Sequence, residues 1–313
     1  MGFWSLGKAF LFVAICGLFQ SALSRGQDPS LGEDLLNKSI SLEALNNRMQ
    51  NGLRSEGRSL QCFEKYQEAI YRGVLNIMVV FGYNDNEDGL TSDEFERAAL
   101  IAEITKPCRS NQLFACGFQS ARGGGLEKVI DEVGRKILVH LELENSSFSI
   151  VDRDNKNEFA EPQREKSLNA ETAFIRGLLS FDAAFYVGHS RAGGGPDFRP
   201  PRYIGKGKTD YNWYRAREAG LKLMVQAIKK SQIKSQFIGL FSCDSNRLFG
   251  SKLHIANPQA KLLLSNNLSH FGYFNQALLG ALDAVIGFKC EEAFQDSLLI
   301  PGVSRGLVRL HHF

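Results

Sequence analysis

Short apolar runs alternate with longer amphipathic stretches along this chain, and that alternation sets the expected fold class. Leu75-Asn-Ile-Met-Val-Val-Phe81 is an apolar run of strand length ending at Gly82 and a polar loop, which reads as a buried strand. Beyond the loop, Thr91-Ser-Asp-Glu94 sets a hydroxyl three residues before a carboxylate, a capping-box pattern opening a helix to about Thr105. The pattern then recurs. Leu113 to Phe118 reads as a short strand, Leu126 to Val133 as a helix, and Lys136 to Leu143 and Ala183 to Val187 as strands. Tyr211 to Lys230 follows as a helix, Phe237 to Phe241 and Leu262 to Leu264 as strands, and Asn275 to Ile286 as a helix. This order predicts an α/β domain over residues 73–313, a three-layer sandwich with a central, mostly parallel sheet covered on both faces. Residues 25–72 read as a short helical N-terminal segment, with one helix near Leu42 to Leu53 and another from Gln61 to Tyr71.

In such a sheet the loops at the carboxyl ends of the strands gather into one crevice where ligands bind. Here those ends read Gly82-Tyr-Asn-Asp-Asn-Glu-Asp-Gly89, Gly188-His-Ser-Arg-Ala-Gly-Gly-Gly195, Ser242-Cys-Asp-Ser245 and Ser265-Asn-Asn267. Two of them carry groups suited to nucleophilic catalysis.

Composition narrows the setting. Of 313 residues, 43% are hydrophobic, enough for a large core, and the 37 basic and 34 acidic side chains nearly cancel. With no basic run to track phosphates, nucleic acid is not an expected partner. Residues 1–24 combine Lys8, the apolar stretch Ala9 to Phe19 and the small residues Ala22 and Ser24, the pattern of a cleavable secretory signal peptide. About 11 apolar residues fall short of the roughly 20 that a spanning helix needs, so no membrane span is expected and the protein is read as secreted or periplasmic.

Five cysteines follow that segment, an odd number for an oxidising compartment. Cys108 and Cys116 flank a short loop and are expected to form a disulfide. Cys62 with Cys290 would then leave Cys243 free; Cys243 with Cys290 is the rival pairing, and spacing does not choose between them.

Phe185-Tyr-Val-Gly-His189 is a strand that delivers a histidine, and Phe237-Ile-Gly-Leu-Phe-Ser-Cys243 is a strand that delivers a cysteine. A thiol needs a nearby imidazole to become a thiolate near neutral pH, and two strand ends of one sheet can hold that pair. The backbone N–H groups of Ser190 and Cys243 are the candidate oxyanion donors. An apolar strand with His and a small residue, then a helix, then an apolar strand with a small residue and Cys, resembles the caspase, legumain and gingipain clan of cysteine peptidases. Phe-Ser-Cys243-Asp-Ser is similar to the legumain-type Ala-Cys-Glu-Ser. The separation 243 − 189 = 54 fits the value of about 50 expected for caspases. The resemblance implies a caspase-like fold, a Cys243–His189 dyad and a peptide or protein substrate. Ser190 departs from the clan's usual Gly after the histidine, and the caspase Gln-Ala-Cys pattern is absent.

Competing readings start from the same residues. In the plainest, Cys243 is structural and the protein is a non-catalytic exported α/β protein. Gly188-His-Ser190-Arg-Ala192 also nearly matches a serine-hydrolase elbow, with Ser190 as nucleophile and His254 or His270 as partner. That elbow needs a helix directly after the serine, which the following glycines and prolines oppose. The loop from Asn84 to Glu94 looks like a calcium site, with Asp85 and Asp88 as candidate ligands, although its final carboxylate arrives one residue early for an EF-hand; a solvated turn is the alternative. No other cofactor is expected. If the acidic loops around Asp85 and Asp152 face the crevice, they would favour a Lys or Arg side chain. Arg191 to Lys208, rich in Gly and Pro, reads as a mobile flap over the crevice or simply a long exposed loop. Gly123-Gly-Gly125 reads as a turn.

Overall fold

The apolar run at Leu75 to Phe81 forms the middle of the sheet in the structure, a computed structural model that describes residues 65–85, 89–109, 113–132, 135–156, 160–205, 207–299 and 306–312. The signal peptide, the helix near Leu42, the start of the helix at Gln61 and Cys62 lie outside the described residues. In chain order the strands are β1 (Val74–Phe81), β2 (Gln119–Ser120), β3 (Leu126–Glu132), β4 (Arg135–Asn145), β5 (Ala183–Val187), β6 (Tyr203–Ile204), β7 (Lys208–Thr209), β8 (Phe237–Phe241), β9 (Lys261–Ser265) and β10 (Val308–His311). The helices are α1 (Gln67–Arg72), α2 (Asp93–Ile104), α3 (Ala160–Ser180), α4 (Tyr211–Arg217), α5 (Ala219–Lys230), α6 (Ser245–Ala256), α7 (Phe271–Ile286) and α8 (Glu291–Ser297).

Among the described residues, an eight-stranded sheet runs in the order β10-β9-β8-β5-β1-β4-β3-β2, with β6 and β7 forming a separate hairpin. The strands from β9 through β8, β5 and β1 to β4 are parallel, and the flanking β10, β3 and β2 are antiparallel. Strands buried on both faces should be apolar without alternation, and β5 and β8 are, while β1 and β9 depart from it only at Asn76, Lys261 and Ser265. Ile77, Val79, Phe81 and Phe185 pack toward α2, α7 and α8. Met78, Val80, Ala184 and Tyr186 pack toward α3, α5 and α6. The expected α/β three-layer arrangement is therefore present, with a mostly parallel central sheet. No helix among the described residues is long and apolar enough to cross a membrane.

Several expected elements come out differently. Leu126 to Val133, expected as a helix, is the strand β3, and Val133 itself lies outside the described residues. Leu126, Val129 and Ile130 fit a helical spacing, but β3 pairs with β4 as Leu126↔Leu141, Val129↔Leu138 and Ile130↔Ile137. Val129 is left 59% exposed, while the Lys128 ammonium donates to the carbonyls of Phe114 and Cys116. The turn expected at Gly123-Gly-Gly125 is there, with positive φ at Gly124 and Gly125, and it leads β2 back into β3. Leu113 to Phe118, expected as a strand, is irregular: Asp283 of α7 accepts hydrogen bonds from the N–H groups of Phe114 and Ala115 in place of a ladder. The single helix expected from Tyr211 to Lys230 is broken at Glu218, whose φ of 48° is left-handed.

The helices α3 and α6 have no counterpart in the sequence reading. The inward positions of α3 are Gln163, Ser167, Ala170, Ala173, Phe174, Gly177 and Leu178, so its first half shows small or polar residues where a hydrophobic period would be sought. At the start of α2 no capping box forms. Thr91 donates instead to the Ser149 carbonyl, and the Ser92 hydroxyl donates to Glu96. The buried Asp93 carboxylate accepts from the backbone N–H groups of Ser146 and Ser147, tying α2 to the end of β4.

Phe241 closes β8 with no exposed surface and lies edge-on against Phe185 at 5.9 Å. Phe241→Ala is expected to cost about 3–5 kcal/mol, read as a lower urea midpoint with an unchanged slope.

Candidate functional site

Register puts the candidate residues at one level. Val187 of β5 is paired with Phe241 of β8, so His189 and Cys243, each two residues further on, leave adjacent parallel strands side by side. Phe81 of β1 is paired with the same Val187, so Gly82 to Asp85 leave beside them. One short segment then touches both candidates. The Phe271 and His189 rings meet in a T-shaped contact with centroids 5.1 Å apart, and the Cys243 thiol donates to the Ser269 carbonyl at 3.8 Å. No hydrogen bond joins His189 to Cys243.

Asp85 faces His189 instead, with its carboxylate 3.7 Å from Nε2. Arg191, only 3% exposed, bridges two acids: Nη2 donates to Asp85 at 3.2 Å and Nε to Asp197 at 2.8 Å. Burial works against the Asp85 charge, yet the Arg191 guanidinium and His189 beside it hold the carboxyl below its ordinary range. His189 is pushed down to about 3, first by burial and then by Arg191, against the opposing pull of Asp85, so its imidazole is neutral across physiological pH. Arg191 and Ala192 have φ of 44° and 52°, a strained conformation for residues with side chains, held here by the Arg191 ion pairs.

No family model, curated protein or solved structure matches this chain. The site is therefore read from its own geometry.

Asp85, singled out as a calcium ligand, has its carboxylate between Arg191 and the Tyr203 hydroxyl, and Asp88 lies outside the described residues. Among the described residues no group of three or more His, Cys, Asp or Glu is placed to hold a metal ion. Asp152 is likewise engaged, accepting from Tyr83 and pairing with Lys156. Among the described residues of the acidic loops, Asp85 and Asp152 thus face internal partners. The segment expected as a flap is packed through its first half. Phe198 is buried against Phe174 and Tyr186, the Asp197 N–H donates to the Tyr186 hydroxyl, and Tyr83 N–H donates to the Asp197 carbonyl.

The disulfide between Cys108 and Cys116 is present, and Cys290 is also disulfide-bonded, while Cys243 is a free thiol. The rival pairing of Cys243 with Cys290 is therefore absent. After Ser190 comes a single 3-10 turn at Arg191–Gly193, so the serine-hydrolase elbow lacks its helix. His254 stacks on His312, and His270 lies near Tyr273. The strand, sharp turn and helix expected of an elbow occur instead around Cys243, which sits between β8 and α6 with Asp244 at a φ of 56°. The backbone N–H groups of Ser190 and Cys243 find no acceptor among the described residues.

Sequence reasoning missed Arg191, Asp197 and a second acid, Glu96. The signal for Arg191 was a lone cation two residues after the histidine. Nothing local marks Glu96, which is brought by α2 against Asn84, Ser92 and Asn275. Burial and then the neighbouring Asp93 raise its carboxyl to about 8, against hydrogen bonds from Ser92, Asn84 and Asn275.

Two outcomes are expected. Arg191→Met leaves Asp85 and Asp197 partly buried without their cation and should cost about 3–5 kcal/mol in urea unfolding. Glu96 holds a proton in the folded state that the unfolded chain releases. Its contribution is full below about 4.3, is lost as pH rises and levels off above about 8. Glu96→Gln should flatten that part of the stability–pH curve, measured by urea midpoints between pH 5 and 9 in both proteins.

Proposed function

We propose that the protein is a secreted or periplasmic cysteine-dependent peptidase, or a related amide hydrolase, with Cys243 as nucleophile and His189 as base. The observation that carries this reading is the register that places His189 and Cys243 side by side at the ends of β5 and β8, under the shared Ser269–Phe271 segment. It fits the arrangement implied by the resemblance to the caspase, legumain and gingipain clan. The Cys108–Cys116 disulfide is of the kind that persists in oxidising compartments, which supports export.

The chemistry follows from the groups present. On turning from the Ser269 carbonyl, the Cys243 thiol transfers its proton to the neutral His189, and the thiolate sulfur bonds to the substrate carbonyl carbon. The N–H groups of Ser190 and Cys243, which have no acceptor among the described residues, receive the negative oxygen. Asp85 stabilises the imidazolium, which returns its proton to the leaving amine. Water, deprotonated by His189, then cleaves the thioester and restores the thiol.

A second reading, a non-catalytic exported protein with a structural Cys243, is favoured by the thiol's bond to Ser269 and the lack of one to His189.

Brief alkylation of the non-reduced protein, mapped by mass spectrometry, separates the two. The catalytic reading expects labelling at Cys243 that slows about tenfold or more in His189→Ala, together with peptide hydrolysis that Cys243→Ala abolishes. Labelling indifferent to His189, with no hydrolysis of a mixed peptide library, would establish the structural role.

A further inference from the structure

On the opposite face of the sheet from α7, a cavity of about 310 Å³ opens between α3, α5 and the loop from Gly194 to Arg202. Its walls are largely apolar, with Phe174, Phe198, Leu223 and Met224 contributing, and Trp213 forms one side. The loop is built onto α5 rather than resting on it. A Cβ at Gly220 would come 2.2 Å from the Pro196 carbonyl oxygen, and the Leu221 N–H donates to the Gly194 carbonyl at 3.0 Å. The volume lies at the small end of the range for small-molecule sites, which is roughly 300–1,000 Å³.

Charge at this cavity is uneven. Two guanidinium groups line it, Arg199 and Arg202, with side chains 60% and 57% exposed. Arg199 is paired with Glu171 at 3.1 Å. Arg202 is ion-paired through Nε with Asp210 at 3.6 Å and lies over the Trp213 ring at 5.3 Å, and its two terminal nitrogens make no hydrogen bond to a described residue. Asp197, the remaining acid of the lining, faces Arg191. An apolar chamber with a guanidinium at its wall that still has its two terminal N–H groups to offer matches a ligand with an apolar body and one carboxylate, which those parallel donors can receive.

We infer that this cavity is a binding site for a small amphipathic carboxylate, an aryl or branched-alkyl acid, whose charge is received by Arg202. The site is separate from Cys243 and does not rest on thiol chemistry. It adjoins the crevice through Asp197, which lines the cavity and holds the Arg191 that in turn holds Asp85.

The chain contains two tryptophans, Trp4 and Trp213, and Trp4 lies in the expected signal peptide, so Trp213 is the reporter in the processed protein, and Trp4→Phe makes it so in any unprocessed one. Titration of the protein with 3-phenylpropionate should give a saturable fluorescence change. The neutral 3-phenylpropanol should bind about fivefold or more weakly, and Arg202→Gln should weaken the acid by a similar factor while leaving the alcohol unchanged. Leu223 is 42% exposed, so Leu223→Glu should keep the wild-type melting curve while setting a like charge in the cavity that abolishes binding of the acid. Equal binding of acid and alcohol, undiminished binding by Leu223→Glu, or no saturation by about 10 mM would each overturn the inference and leave a packing gap.

Discussion

Arg191 is almost completely withdrawn from water, and its charge is matched by Asp85 from the loop after β1 and Asp197 from its own loop. A charge so placed is tolerable only with its partners in position, because desolvation costs several kcal/mol per ion when uncompensated. The strand-end loops of β1 and β5 are thereby fixed relative to each other. The left-handed conformations at Arg191 and Ala192 persist because the side chain is anchored at its far end. His189, two residues before this turn, inherits its place from it.

The same arrangement sets the electrostatics of the crevice. A guanidinium beside a buried imidazole disfavours a second positive charge, so His189 stays neutral even with Asp85 close by. Neutral imidazole is the form that can take a proton, although one held down to about 3 is a weak base, and Asp85 is placed to stabilise the cation once formed. Among the described residues here, Asp85 and Asp152 are engaged by Arg191, Lys156 and tyrosine hydroxyls, which gives a connected polar network. The loop that closes this network on one side forms the roof of the apolar cavity on the other, so Asp197 belongs to both.

Beneath the crevice, α2 contributes Glu96 and α7 contributes Asn275, and Phe271 one turn earlier on α7 covers His189. The proton on Glu96 is thus part of how α2, α7 and the loop after β1 meet. Such a group couples packing to pH.

Local sequence was sufficient wherever burial on both faces of the sheet demanded an unbroken apolar run. Leu75 to Phe81, Ala183 to Val187 and Phe237 to Phe241 were legible for that reason, and the α/β class follows from their alternation with helices. His189 and Cys243 were legible as strand-end residues, and the Cys108–Cys116 disulfide from its short loop. Pairing decided the rest. Leu126 to Glu132 has a spacing compatible with a helix and becomes a strand because β4 offers a partner ladder. The helix α3 was hidden because its inward face uses Gln163, Ser167 and Gly177, which fit only against the neighbours they meet. Asp85, read as a metal ligand from its acidic neighbours, is instead an ion-pair partner of a residue 106 positions away. The chain by itself determined which segments must be buried and which side chains emerge at strand ends. Which of those side chains face one another, and with what charge, was decided only by the tertiary structure, because register, desolvation and long-range ion pairs leave no local mark on the sequence.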